Sequence, residues 1–302
     1  MHAGSAKVFF AMGGNFLSAT PDTNYTAQAL TNCALTVQVS TKLNRSHRIT
    51  GSEALILPCL GRTDVDLQNG TAQFVSVENS MGVVHSSRGS LTPISTLLKS
   101  EPAIVCELAM TTLNNSTIPW ESYLKDYDNI RQDLEACIPG FEDYNRRVRL
   151  KGGFYLPNGA RDNEYHTKTG KAQFSISHNK PILLENNEYL MMTVRSHDQF
   201  NTTIYGLDDR YRGIYSERRI IMMNRADMAE AGLKEKSSVD IYNYSDGVER
   251  KAPNFIVVGY DIPRRCVATY FPEANVLVPI KSKADKSHTP TSKSVVVSVK
   301  ER

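Results

Sequence analysis

The chemistry available to this chain lies in bare backbone and clustered hydrogen-bonding side chains. Met12-Gly13-Gly14-Asn15 follows the apolar run "KVFFAM" (7 to 12) and precedes a helix that Asp22 can cap. Glycine has no Cβ, so backbone N–H groups in such a turn can approach a ligand closely, and a helix N-terminus favours an anion. A phosphate or nucleotide suits that arrangement. The stretch is neither G-x-G-x-x-G nor a Walker A loop, and a tight strand-to-helix turn without a ligand accounts for it equally well.

A second stretch, "VRSHDQFNTTIYGLDDRYRG" (194 to 213), ends a strand in Arg195, Ser196, His197, Asp198, Gln199, Asn201, Thr202 and Thr203. So many donors and acceptors in succession do not belong in a core. They suit a loop around an anionic ligand, with Arg195 on phosphate and amides and hydroxyls on heterocycle edges. They equally suit a polar loop that bonds its own backbone. His197 is a candidate for proton chemistry, but no serine or cysteine is placed beside it, and the catalytic group stays unassigned. In "DDRYRGIYSERR" the charges of Arg210, Arg212, Arg218 and Arg219 are largely cancelled by Asp208, Asp209 and Glu217, which reads as a solvated, salt-bridged loop. "YFPEANVLVP" (270 to 279) and "DKSHTPTSK" (285 to 293) set Asn275 and Lys293 between strand-like segments, where rim loops also occur without binding anything.

The elements that must position these groups fall into two patterns. Strand-like runs at 7 to 12, 34 to 40, 53 to 58 and 72 to 77 alternate with helical stretches, predicting α/β with a largely parallel sheet. Ser100, with Pro102 in the first turn, opens a helix through about Leu113. In "ESYLKDYDNIRQDLEAC" Tyr123, Tyr127, Ile130, Leu134 and Cys137 form one apolar stripe, predicting a single helix stopped by Pro139 and Gly140. From about 145 the pattern dissolves into a glycine- and asparagine-rich connector. Beyond it, short strands at 189 to 195, 219 to 223, 238 to 244, 254 to 259, 266 to 271 and 294 to 299 predict a six-stranded barrel. Its one helix is capped by Asn224, boxed by Asp227 and ended by Gly232. The expected domains are 1–150, α/β; 151–187, connector; and 188–302, barrel.

At 302 residues, 40% hydrophobic and 22% charged, the chain fits a globular protein, with no apolar run long enough to span a membrane and no signal for export. Its five cysteines are scattered singly, against a disulfide framework and against a zinc or iron–sulfur site, and they suit the reducing cytoplasm. A net charge of +3 tolerates an anionic ligand but is far from that of a nucleic-acid binder.

In order, "FFAMGGNF", "LNRSH", "ALILPCLGRTDVDLQ", "VENSMGVVHSSRG", "KSEPAIVCELA", "VRSHDQFNTTIYGLDDRYRGI", "CVATYFPEANVLVP" and "TPTSK" resemble the molybdopterin oxidoreductase superfamily, specifically its formate-dehydrogenase-like subgroup linked to acid resistance. The resemblance spans essentially the whole chain. It implies a partial α/β region like domains 1–3 of formate dehydrogenase and DMSO reductase, followed by a double-psi β-barrel. It implies a bis(molybdopterin guanine dinucleotide) cofactor with molybdenum, and formate as the small-molecule substrate. On that resemblance Gly13, Gly14 and Asn15 lie against one guanosine diphosphate, while Arg195, Ser196, His197, Gln199, Phe200, Asn201, Thr202, Thr203, Asn275 and Lys293 contact pterin and phosphates from the barrel.

Members of the superfamily are more than twice as long, and their N-terminal half carries a [4Fe-4S] cluster. The chain therefore reads as a C-terminal fragment, with sheet edges and apolar faces exposed. It is expected to be inactive without the missing N-terminal half, and that half or an electron-transfer partner is its expected protein partner. A non-catalytic cofactor- or nucleotide-binding remnant, or a scaffold, is the alternative.

Overall fold

A computed structural model describes the chain except for residues 177, 179, 180 and 203. Two compact units are formed: Met1–Leu57 with Lys180–Arg302, and Pro58–Asn179. The division falls elsewhere than at the expected boundary after 150, because the N-terminal segment belongs with the barrel.

The first unit begins with β1 (Val8–Met12), α1 (Phe16–Ala19), α2 (Thr23–Thr31), β2 (Leu35–Ser40) and β3 (Glu53–Pro58). The three strands form a sheet in the order β1-β2-β3, with β1 and β2 parallel. Central β2 buries Val37 and Val39, and Leu30 of α2 is also buried. The outer strands leave Val8, Phe10, Leu55 and Ile56 exposed.

The second unit holds β4 (Leu67–Gln68), β5 (Thr71–Ala72), β6 (Val75–Glu78), β7 (Val83–Ser87), α3 (Glu101–Thr112), α4 (Trp120–Lys125), α5 (Asp128–Cys137), α6 (Tyr144–Arg147), β8 (Phe154–Tyr155) and α7 (Gly159–Asp162). Its sheet β6-β7-β8 and its hairpin β4-β5 are antiparallel, so the expected parallel pairing is met in the first strands and not here. Phe74, Val84, Tyr144, Val148 and Phe154 make its core. Phe154 thus draws the start of the expected connector into this unit. The expected strand at 72 to 77 is split, because Gln73 and Phe74 turn inward, where Gln73 accepts the Tyr127 amide at 3.0 Å.

Ser100 caps α3 as expected, its hydroxyl accepting from Ala103 N at 3.4 Å. The expected single helix over the apolar stripe is instead two, α4 and α5, broken at an extended Asp126. Buried Tyr127 causes the break. Its hydroxyl is 2.6 Å from that of Ser100 and donates to Asp66 at 2.7 Å, while its amide is the one taken by Gln73. A continuous helix would forfeit those bonds. Burial, opposed in part by the Ser100 contact and reinforced by Asp66, raises the pKa of this phenol above the usual tyrosine value.

The chain then returns to the first unit as β9 (Glu188–Val194), β10 (Ile220–Met223), α8 (Arg225–Glu230), β11 (Ser238–Asn243), β12 (Arg250–Gly259), β13 (Cys266–Tyr270) and β14 (Val295–Glu301). These six strands close into a barrel in the order β10-β12-β11-β14-β9-β13. The pairs β9–β13 and β10–β12 are parallel and the rest antiparallel. Alternate residues fill the interior, among them Met191, Ile221, Met223, Val239, Ile241, Val257 and Val297. All four residues of β10 are buried because Ile220 and Met222, on its other side, pack against Ile214 and Tyr270. Asn224 caps α8 by accepting from Ala226 N at 2.9 Å, and Gly232 follows with φ +70°. Asp227 forms no capping box, since its carboxylate holds the Arg264 side chain and the Arg265 amide instead.

Replacing Tyr127 by Phe leaves Asp66 and Ser100 without their hydroxyl partner, and we expect a loss of about 1–3 kcal/mol in urea unfolding. An unchanged midpoint would mean that the break between α4 and α5 has another cause.

Candidate functional site

At the end of β1 the chain turns through Gly13 and Gly14, with φ of +67° and +72°, a region that side chains with a Cβ avoid. Gly13 N donates to Val39 O at 2.8 Å, which ties the turn to β2. A Cβ built on Gly14 would meet nothing within 4 Å, so the turn faces open space. Residues 44 to 46 brace it from behind. Asn44 Nδ2 donates to Gly14 O at 2.7 Å, and Ser46 Oγ donates to buried Asn15 Oδ1 at 3.1 Å. The helix directly after the turn is only the four residues of α1, too short for an appreciable dipole. Open backbone, rather than a helix end, is what this turn offers.

Asp22 does not cap α2. It sits before that helix with φ +51°, and its Oδ2 accepts Nε and Nη2 of Arg250 at 3.0 and 2.8 Å. Both side chains are buried, and Arg250 also binds Asp246 at 2.6 and 3.0 Å. Beside this pair Asn275 Nδ2 donates to Ser18 O and Ala19 O at 2.7 and 3.1 Å, and Asn275 O accepts from Asp22 N at 3.0 Å. Asn275, expected to contact the ligand, here fastens the segment after the glycine turn to the barrel.

Of the expected contacts on the second loop, Ser196, Gln199 and Thr202 are buried, whereas Arg195, His197, Phe200 and Asn201 are exposed. Gln199 organises the loop: its Nε2 donates to Asn201 O and Phe271 O at 2.8 and 2.7 Å, and its Oε1 accepts from Ser196 N at 3.2 Å. His197 lies over Tyr211, ring centroids 3.6 Å apart. Lys293 donates to Thr193 O, and burial together with the nearby Arg195 guanidinium holds its ammonium below the usual lysine range. Thr203 lies outside the described residues.

These pieces meet at two cavities of the first unit. One, of about 500 Å³, is walled by Phe9, Phe10, Phe16 and Phe271 together with Gly13, Gly14, Asn15, Arg195, Asn201 and Thr202. The other, of about 540 Å³, carries Lys42, Arg45, Arg219 and Lys251 on its walls with Asn15, Asn44, Thr202, Tyr205 and Glu273. Asn15 and Thr202 line both. Two stretches far apart in sequence therefore share a cleft. Ser196, His197, Gln199, Phe200, Asn275 and Lys293 line neither cavity. The sequence did not single out Lys42, Arg45, Arg219 or Lys251 as cavity residues, though the "LNRSH" run held part of the signal.

The run "DDRYRGIYSERR" also departs from its expected solvated state. Arg212 pairs with Asp209 inside the run, while Arg210 pairs with Asp198 and Arg218 with Glu273 outside it, and Asp209 is 1% exposed and Arg218 4%. Burial alone would raise the Asp209 pKa; hydrogen bonds from Arg212 and from Tyr270, the latter at 2.9 Å, outweigh it and hold the carboxyl below its usual range.

Among the described residues no group of three or more His, Cys, Asp or Glu side chains could hold a metal ion, and no helix is long and apolar enough to cross a membrane.

The Molydopterin dinucleotide binding domain matches residues 189–296. An uncharacterized oxidoreductase of Mycobacterium tuberculosis is 50% identical over 304 residues, covering 98% of this chain. The protein YdeP of Escherichia coli is 42% identical over 300 residues, covering 97%. The chain spans 39% and 40% of the length of these two relatives. Acetylene hydratase from Pelobacter acetylenicus superposes with a TM-score of 0.64 over 98% of this chain and 44% of its own; at 13% identity the likeness is one of fold.

Removing one partner of a buried ion pair costs about 3–5 kcal/mol, and for Asp22→Ala we expect the low end, since Asp246 still holds Arg250. Urea unfolding checks this, and a loss near zero would contradict the latch. The hydrogen bond from Arg250 lowers the Asp246 pKa in the folded state. A folded-state pKa below the unfolded value contributes stability above about pH 4 that is lost as the pH falls further. Asp246→Asn should flatten that acid limb, and an unchanged slope below pH 4 would argue against the pairing.

Proposed function

The chain belongs to the molybdopterin oxidoreductases, with their dinucleotide-binding domain at residues 189–296, and we propose that its two neighbouring cavities grip a molybdopterin guanine dinucleotide. The observation that carries this reading is an excess of positive charge. Lys42, Arg45 and Arg219 on one cavity and Arg195 on the other form no ion pair among the described residues. Unpaired cations beside open backbone at Gly14 suit a diphosphate, and the phenylalanine-lined cavity suits a flat heterocycle. The residues present thus fit the group in charge and in shape.

When bound, the group supplies the redox chemistry through its molybdenum. The chain's part is to bind and orient it: Gly13 and Gly14 by close approach, Asn201 and Thr202 by hydrogen bonding, and Arg195 and Arg219 by charge. Oxidoreduction by the whole enzyme, with formate as substrate, is proposed from the resemblance to formate-dehydrogenase-like enzymes. It requires the portion of the relatives beyond the 39% spanned here, including the region of the [4Fe-4S] cluster, and is proposed for the cytoplasm.

The chain, expressed where the cofactor pathway is intact, should retain molybdenum by elemental analysis and release guanine nucleotide on denaturation. In calorimetry it should bind GDP in preference to ADP, and Arg219→Ala should weaken GDP about tenfold, the loss of one charge-assisted hydrogen bond. A folded chain that holds no molybdenum and binds no guanine nucleotide would overturn the reading. Cofactor retention without dye reduction, with reduction restored by the remaining portion of the enzyme, is the outcome expected for the chain alone.

A further inference from the structure

Arg218 lines neither cavity, yet it touches the walls of both. Its Nε donates to Glu273 Oε1 at 2.8 Å and its Nη1 to Ser196 Oγ at 2.9 Å. Its Nη2 reaches Gln199 Oε1 at 3.0 Å, Phe271 O at 2.8 Å and Glu273 Oε2 at 3.2 Å. The guanidinium carbon stands 4.2 Å from the Tyr205 ring centre and 4.9 Å from that of Tyr270. Of these partners, Tyr205 and Glu273 wall the larger cavity and Phe271 the smaller. Gln199 in turn holds Asn201 O at 2.8 Å, and Asn201, with φ +52°, is a wall residue kept in a conformation that costs energy unless its surroundings impose it.

We propose that Arg218 is a positioning residue for cofactor binding, a buried bolt that fixes the Ser196–Thr202 loop against the Phe271–Glu273 turn. The inference rests on reading the two cavities as the dinucleotide site. The chemistry explains why an arginine stands here. A planar guanidinium can address a carboxylate, an amide oxygen, a hydroxyl and a backbone carbonyl at once while stacking on an aromatic ring, which a lysine ammonium cannot do. The Glu273 carboxylate balances the charge, so Arg218 stays committed to the frame and leaves ligand charge to Arg195 and Arg219.

The test compares wild type, Arg218→Lys and Ser196→Ala in two measurements. Hydrogen exchange on the unliganded chain reads the amides of Phe200 and Ile204, which bond each other's carbonyls at 2.7 and 3.2 Å. Titration with GDP reads affinity. For Arg218→Lys we expect exchange at Phe200 and Ile204 and the GDP Kd each to rise about tenfold or more, while protection of the barrel strands is kept. Saturating GDP should restore the loop's protection, a response that a purely structural lesion would not give. Ser196→Ala, which keeps the Glu273 pair and therefore the fold, should move both readings the same way by a smaller factor. Loop exchange and GDP affinity within twofold of wild type in both variants would overturn the proposal. Wild type that fails to bind GDP would instead overturn the reading of the cavities, and the exchange measurement would still decide whether Arg218 holds the loop.

Discussion

The structure of the first unit depends on one buried ion pair that joins residues 228 positions apart. Asp22 stands just after the segment that carries the glycine turn, Arg250 begins β12, and their carboxylate–guanidinium contact lies away from water with Asp246 and Asn243 around it. Two charges are costly to desolvate, and only a well-made pair with further hydrogen bonds offsets that cost. Its return is register. With Asn275 holding the carbonyls of Ser18 and Ala19, the pair sets where α1 and the preceding glycines stand against the barrel. Asn15 can then line the same cavities as Thr202.

The remainder of the site follows the same division of labour. Lys42, Arg45, Arg195 and Arg219 on the cavity walls form no ion pair among the described residues, while Arg218 and Asp209, buried behind the walls, are matched by Glu273 and Arg212. A site for an anionic ligand needs both kinds. A fully neutralised wall would attract nothing, and a fully unpaired one would repel itself apart.

What the sequence made legible was local. The barrel strands were readable because β-branched and aromatic residues alternate between punctuating turns, and that pattern reports burial directly. The glycine turn and the polar loop stand out because their residue types are unusual for a core or a plain strand. What was not legible depended on distant partners. Asp22 has the local look of a helix cap, and only Arg250 makes it a latch. The stripe from Tyr123 to Cys137 has helical spacing throughout, but Gln73, Asp66 and Ser100 pull Tyr127 out of line. Arg218 sits in a charge-balanced run that reads as solvated surface, and its burial is decided by Glu273, 55 residues on. Asn275 reads from the sequence as a cofactor contact, while the carbonyls its amide holds are those of its own chain.

The central claim is that the glycine turn and the Arg195–Thr202 loop serve one nucleotide-bearing ligand. Photocrosslinking with an azido derivative of GDP, followed by peptide mapping, addresses it directly. The account predicts labelled peptides from both the Phe9–Ala19 and the Arg195–Tyr205 stretches, each suppressed by unlabelled GDP. Labelling confined to one stretch, or unaffected by competitor, would contradict it.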